Sequence, residues 1–258
     1  MAKTAAGAEL TAAHHAAQLA VRAGSIANLI KLWQIVDPAN LSGTIDVFVQ
    51  AAVLLAGSGF DESAGTAARY YSLFRQVEGG ARDNLPQRPG LARPPAADFA
   101  NELRGAALKG ILVARRAGLP VDRAKERGFV RAAGALAKLV LAGGRRTLVT
   151  LVRQDRTALG WARVTSDDPC AFCRMLASRG AVYKSEAGAD FVPHDGCGCS
   201  PEPLFRGASP PEQAAEYARE WQAAQAQART DGTMSRGTSN DALNNYRRYL
   251  AGEQATTA

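Results

Sequence analysis

Apolar side chains at Leu19, Ile26, Leu29, Ile30 and Trp33 recur three, four and seven positions apart, the period of one helix face. They predict a long helix over residues 4 to 36. Asp37-Pro38 ends it, with Asp37 placed to cap a second helix and Pro38 at that helix's first position. The second helical region runs from about 44 to 77. Gly57-Ser58-Gly59 is expected to kink or split it, and Tyr70, Tyr71, Phe74 and Val77 give its last part an aromatic face. Residues 79 to 96 carry Gly79, Gly80, Pro86, Pro89, Gly90, Pro94 and Pro95 and read as a linker. Helix resumes over about 97 to 117, breaks at Gly118-Leu119-Pro120, and returns from about 122 to 157 with a bend expected at Gly143-Gly144. The alternation from Gly160 to Thr165 predicts a short strand. Beyond residue 206, Pro210-Pro211 open a further amphipathic helix to about 229. A polar loop then leads to a short terminal helix over Asp241 to Leu250.

This pattern divides the chain into five regions: 1–78, helical; 79–96, Pro/Gly-rich linker; 97–165, long helices; 166–206, a Cys/His module; 207–258, a C-terminal helix and polar tail. The expected fold class is mainly α, an elongated N-terminal helical bundle followed by a small α+β Cys/His module and a C-terminal helix. Composition agrees. The 258 residues suit one or two domains. Alanine occurs 52 times and aromatics make up 7%, which excludes an all-β fold.

Charge adds a second feature. The net charge is +7, and residues 101 to 165 alone hold fourteen basic residues against four acidic ones. Such a stripe either neutralises phosphates or is a solvated helix face written in an arginine-rich code. No apolar run reaches the roughly 18–20 residues of a membrane helix, and no export signal is visible, so synthesis in a cytoplasm with reduced cysteines is expected.

All four cysteines lie between positions 170 and 199. Asp168-Pro169 signals a helix start, which puts Cys170 and Cys173 in a first turn with their sulfurs on one face, where thiolate is favoured. About twenty residues later, His194 and Cys197 repeat the spacing in a turn that Gly196 and Gly198 allow to fold tightly, with Cys199 two positions on. Two donor pairs at that separation are the arithmetic of a structural zinc site. Five donors compete for four tetrahedral places, so the expected set is Cys170, Cys173 and His194 plus either Cys197 or Cys199. Two disulfides, or plain buried thiols, are the competing readings.

Catalytic signatures are thin. Pro169-Cys170-Ala171-Phe172-Cys173 matches half of the zinc deaminase signature, but no His or Cys followed two positions on by Glu precedes it. No nucleophile elbow, dinucleotide loop or phosphate-binding loop is present, and His14 and His15 read as exposed residues on a polar, Ala-rich helix. The expectation is a protein that is not an enzyme and takes no small-molecule substrate.

Several segments that zinc binding does not demand carry a resemblance. Gly160-Trp161-Ala162-Arg163-Val164, the Cys170/Cys173 pair, Leu176-Ala177-Ser178-Arg179-Gly180, Val182-Tyr183 and the closing His194-Asp195, Cys197 and Cys199 resemble the MuF-like minor capsid, or head morphogenesis, proteins of actinobacterial phages and prophages. The Ala-rich helical N-terminus resembles them too, so the likeness covers about residues 10 to 206. It implies a virion protein of few copies at the capsid interior, made in the bacterial cytoplasm, with the portal and major capsid proteins as partners and packaged duplex DNA nearby. It carries the family's Cys, Cys, His, Cys, Cys onto Cys170, Cys173, His194, Cys197 and Cys199. Gly198 departs from the pattern, where a bulkier or polar residue is expected. The alternative is a zinc-dependent nucleic-acid-binding protein of phage or host, with the basic stripe on phosphates.

Overall fold

The structure is a computed structural model, and it describes residues 2–79, 93–183, 190–208, 212–232 and 239–252. Four long helices come first: α1 (Ala5–Trp33), α2 (Leu41–Phe74), α3 (Ala96–Arg116) and α4 (Val121–Gln154). A π-helical turn, Arg75–Gly79, extends α2. Then follow β1 (Ala158–Val164), α5 (Ala171–Ala177), β2 (Ala181–Tyr183) and β3 (Ser200–Phe205). Two C-terminal helices close the chain, α6 (Glu212–Thr230) and α7 (Ser239–Leu250). The mainly α class with a small α+β module is therefore as the sequence predicts. The linker expected at 79–96 lies largely outside the described residues, as do parts of the polar loop before α7 and of the tail.

Local chemistry sets the helix ends. Thr4 caps α1 by accepting from the Gly7 amide at 3.0 Å. Glu78 of the π-turn accepts from the Lys3 and Thr4 amides and the Thr4 hydroxyl, so α1 starts where α2 ends. Asp37 does not cap α2. Its carboxylate takes the Ala39 amide in a tight turn, and Asn40 caps the helix through the Gly43 amide.

Gly57-Ser58-Gly59 does not split its helix, and the glycines on both helices serve packing. A Cβ on Gly143 would sit 2.0 Å from the Phe60 carbonyl oxygen, and one on Gly59 would sit 2.8 Å from Val140. Both α2 and α4 run through these positions as continuous helices, held closer together than any side chain permits. Around that crossing Leu29, Phe48, Phe60, Leu103, Ile111 and Leu136 are fully buried. Each such side chain contributes on the order of 1.5–3 kcal/mol. By length and composition α2 with its π-turn could cross a membrane, against the expectation from apolar runs; here it packs on α1, α3 and α4.

A second cluster joins bundle to sheet. Tyr70, Tyr71 and Phe74 of α2 meet Leu148, Leu151 and Val152 of α4 and Phe205 of β3. Beneath it the buried Asp155, which ends α4, accepts from Arg75 at 2.6 Å and from the Tyr71 hydroxyl at 2.9 Å. Its other oxygen takes the Thr157 amide and hydroxyl and fixes the turn into β1. The sheet is antiparallel, in the order β2-β1-β3.

Candidate metal centre

The register of β1 on β3 builds the site. Val164 pairs with Ser200, so the segment leaving β1 and the segment entering β3 lie side by side. The first leads into α5, whose N-cap is Cys170 rather than Asp168, with Cys173 one turn on. The second carries His194, Cys197 and Cys199. Gly196 turns it with φ of 76°, and its amide donates to the Gly134 carbonyl of α4 at 3.0 Å. Lys138 of α4 grips Asp195 at 2.9 Å. The cysteine-bearing turn is thus docked on the middle of α4.

All five predicted donors come together. Cys170 Sγ and Cys173 Sγ each lie 3.2 Å from His194 Nε2, and Cys173 Sγ lies 3.6 Å from Cys197 Sγ. Metal–ligand bonds of about 2.3 Å to sulfur and 2.0–2.1 Å to nitrogen make tetrahedral edges of roughly 3.5–3.8 Å, close to these separations. The donors form two sets of three that share Cys173: Cys170, Cys173 and His194, and Cys173, Cys197 and Cys199. Either could hold a metal ion. Cys173, Cys197 and Cys199 are buried, Cys170 is exposed, and all four are free thiols.

Protonation is divided within the cluster: Cys170 and Cys197 are favoured as thiolates, Cys173 and Cys199 as thiols. His194 Nδ1 donates to the Asp195 carbonyl at 2.7 Å, and the hydrogen bond with Cys170 raises the ring's pKa, so without a metal the protonated Nε2 donates to the Cys170 sulfur, a proton that a bound ion would replace. Hydrogen bonds from Cys173 and His194 pull the Cys170 thiol down to about 4. Hydrogen bonds from Cys173 and Cys199, with the charge of Arg145, lower Cys197 as well. Cys173, the shared donor, is raised by its bonds to Cys170 and Cys197. Thiolate is the form that binds metal.

The residues that hold this turn escaped the sequence analysis. Arg145 is 4% exposed and donates Nε to the Cys199 carbonyl at 2.9 Å and Nη2 to the Cys197 carbonyl at 2.6 Å. Burial lowers its pKa, though the nearby cysteines oppose that. Arg163, also buried, donates to the Val192 carbonyl and lies 3.8 Å over the Phe191 ring, which Trp161 packs against. Both arginines belong to the basic stripe, yet both are buried and neither is a solvated face. A signal was available: Arg145 falls with Leu141, Leu148 and Val152 on one buried helix face. The stripe is further divided by ion pairs of Arg104 with Asp46, Lys138 with Glu102 and Arg153 with Asp190. Lys109, Arg115, Arg116, Arg127 and Arg131 stand exposed on α3 and α4 near the turn between them.

Gly198, the departure from the pattern, has a steric reason. A Cβ there would meet Leu19 and Arg22 of α1 and Ser166, all at 3.2–3.4 Å. The histidines of α1 also differ from expectation. His14 is buried, stacked on Tyr70 at 4.3 Å, with both ring nitrogens unpartnered among the described residues. His15 is half-buried and lies 3.4 Å from the Ser200 hydroxyl.

Compared with known proteins, the chain matches one family model, described as VG15 protein, over residues 1–224. No curated protein and no solved structure matches.

Proposed function

The chain belongs to the VG15 protein family, a viral gene protein family, and from that premise we propose that it is a minor capsid protein of a tailed phage or prophage, of the MuF-like head morphogenesis type. The observation that carries this reading is the extent of the match. It runs across bundle, sheet and cysteine turn as one unit, so the metal-site module is part of the family's architecture rather than an appendage. The role is structural. The protein sits at the portal on the capsid interior, contacts the portal and major capsid proteins, and assists head assembly or DNA ejection without catalysing a reaction. Exposed Lys109, Arg115, Arg116, Arg127 and Arg131 suit non-specific contact with packaged duplex DNA.

The metal proposed is one structural zinc. Thiolates with an imidazole form a soft donor set that suits it. Cys170, Cys173 and His194 are the first three ligands. Cys197 or Cys199, which form the second set of three with Cys173, closes in to take the fourth place; Cys197 Sγ lies 3.6 Å from Cys173 Sγ.

Mass spectrometry of purified particles tests the role. The protein is expected at low copy relative to the major capsid protein. Its absence from particles that contain portal would overturn the structural reading in favour of a zinc-dependent nucleic-acid-binding protein. Elemental analysis after purification under reducing conditions tests the metal: about one zinc per chain is expected, and metal-free protein with four titratable thiols would refute it.

A further inference from the structure

A cavity of about 380 Å³ opens beside the cysteine turn, against the last third of α4. Its lining includes Arg145, Arg146, Thr150, Arg153, Asp190 and Phe191. Arg146, Thr150 and Arg153 follow one another at i, i+4 and i+7 and so share one helix face. Arg145 forms one wall, buried and immobile, because its Nε and Nη2 are tied to the Cys199 and Cys197 carbonyls. Its third nitrogen, Nη1, is buried and has no partner among the described residues.

Among the described residues, charge around the cavity does not balance. Three guanidinium groups among the described residues line it and one carboxylate among them answers, Asp190, paired with Arg153 at 2.9 Å. Arg146 has no ion-pair partner among the described residues, and behind Phe191 lies Arg163, a fourth guanidinium whose Nη1 is likewise unpartnered. Both Nη1 atoms lie out of reach of solvent, and Arg145 also faces the Phe191 ring at 5.2 Å, so what the cavity offers an incoming acceptor is the guanidinium groups of Arg146 and Arg153, with the fixed charge of Arg145 behind them. Guanidinium forks match the oxygens of phosphate in pairs, and the Thr150 hydroxyl offers a further donor.

We propose that the α4 cavity formed by Arg145, Arg146, Thr150 and Arg153 is a phosphate-binding site. Its volume lies within the roughly 300–1,000 Å³ of small-molecule sites, which leaves room for an attached sugar. The phosphate is either the free ion or a phosphodiester of the DNA backbone; the donor set is the same for both. Asp190 is the competing anion. Its ion pair with Arg153 is largely exposed, and such pairs hold weakly, so an incoming phosphate displaces it readily. The site uses none of the cysteine donors and does not depend on the virion role.

The test uses the full-length, metal-loaded protein and inorganic phosphate. Phosphate should raise the thermal midpoint saturably, relative to chloride at matched ionic strength. The double variant R146Q/R153Q should bind phosphate at least tenfold more weakly with unchanged helical signal and zinc content. D190N should bind it several-fold more tightly, an opposite sign that a purely structural role for these residues does not produce. No saturable phosphate effect, or a double variant as responsive as the parent, overturns the proposal. Should the double variant fail to fold, D190N decides alone: unchanged or weaker phosphate binding overturns it. A short duplex then separates the sources. Displacement of phosphate, with a salt slope about one unit smaller in R146Q/R153Q, identifies the backbone phosphodiester; phosphate binding without displacement identifies the free ion.

Discussion

Two buried side chains on the helices, His14 and Arg145, carry more than their sequence context announces. Helix α1 buries Gly7, Thr11, His14, Gln18, Ser25, Leu29 and Trp33, a stripe at helical spacing whose first five members are small or polar. A template that scores only apolar residues sees the last two, so His14 reads as surface. Its folded-state pKa is lowered to about 3, first by burial and then by the charge of His15. An unfolded chain protonates this ring near pH 6.5, while the folded chain resists until about pH 3. Stability is therefore intact above pH 6.5 and falls as pH drops through that window, by about 1.4 kcal/mol per unit. His14→Phe keeps a ring on Tyr70 and removes the proton. Denaturant melts at pH 7 and pH 5 should show a loss about 2 kcal/mol smaller in the variant than in the parent, and equal losses would refute the assignment. At the metal turn, Arg145→Met deletes the clamp on the Cys197 and Cys199 carbonyls but keeps most of the apolar bulk. Partners of this outer kind typically govern metal affinity by 10–100-fold, so chelator competition should show zinc bound about that much more weakly. The five donors themselves were legible, because cysteine and histidine spacing is a local signal. The arginines that hold them were not, because their partners are carbonyls 29 to 54 positions away.

Helix existence and approximate bounds followed from periodicity, as α3 and α4 illustrate. Glycine has two meanings along this chain: Gly118 breaks the helix between α3 and α4, while Gly57-Ser58-Gly59 does not split α2. In Ala-rich helices a glycine is as much a means of close approach as a breaker, and only the partner backbone distinguishes the two. Gly143→Ala forces a methyl against the Phe60 carbonyl and separates α2 from α4. It should destabilise the protein by about 1–3 kcal/mol or more, the range for overpacking. Gly105 of α3 has nothing within 4 Å of an added Cβ. There the same substitution meets open space and improves helix propensity, so Gly105→Ala should stabilise by about 0.5–1 kcal/mol. Urea midpoints for the pair give opposite signs if the crossing is as tight as described. Two shifts of the same sign would show that it relaxes.

At the scale of the molecule, the bundle and the cysteine turn are separately cored but mechanically joined. The bundle core draws on α1 through α4 and on no described residue between 158 and 208. The cysteines make their own small cluster with Phe191, and α5, α6 and α7 pack together through Trp221 and Tyr246. What joins the turn to the bundle is polar and specific: Arg145 to two carbonyls, Lys138 to Asp195, and the Gly196 amide to Gly134. None of this joinery was legible, since each contact pairs positions more than fifty residues apart and no period links them. It does predict how the protein fails when metal is withdrawn. A bound ion contributes folding free energy where its ligands are otherwise loosely held, and here that is the segment from 190 to 199 and the start of α5. The bundle has its own apolar faces and should stay helical. In a background with Trp33 and Trp221 replaced by Phe, Trp161 reports the turn alone, because it packs on Phe191 at 5.3 Å between ring centres. Excess chelator should red-shift that emission and speed amide exchange around Cys197 and Cys199, while the far-UV helical signal remains nearly unchanged. A cooperative loss of helix on chelation would mean that the metal holds the whole fold, and unchanged exchange in the turn would mean that no ion holds it at all.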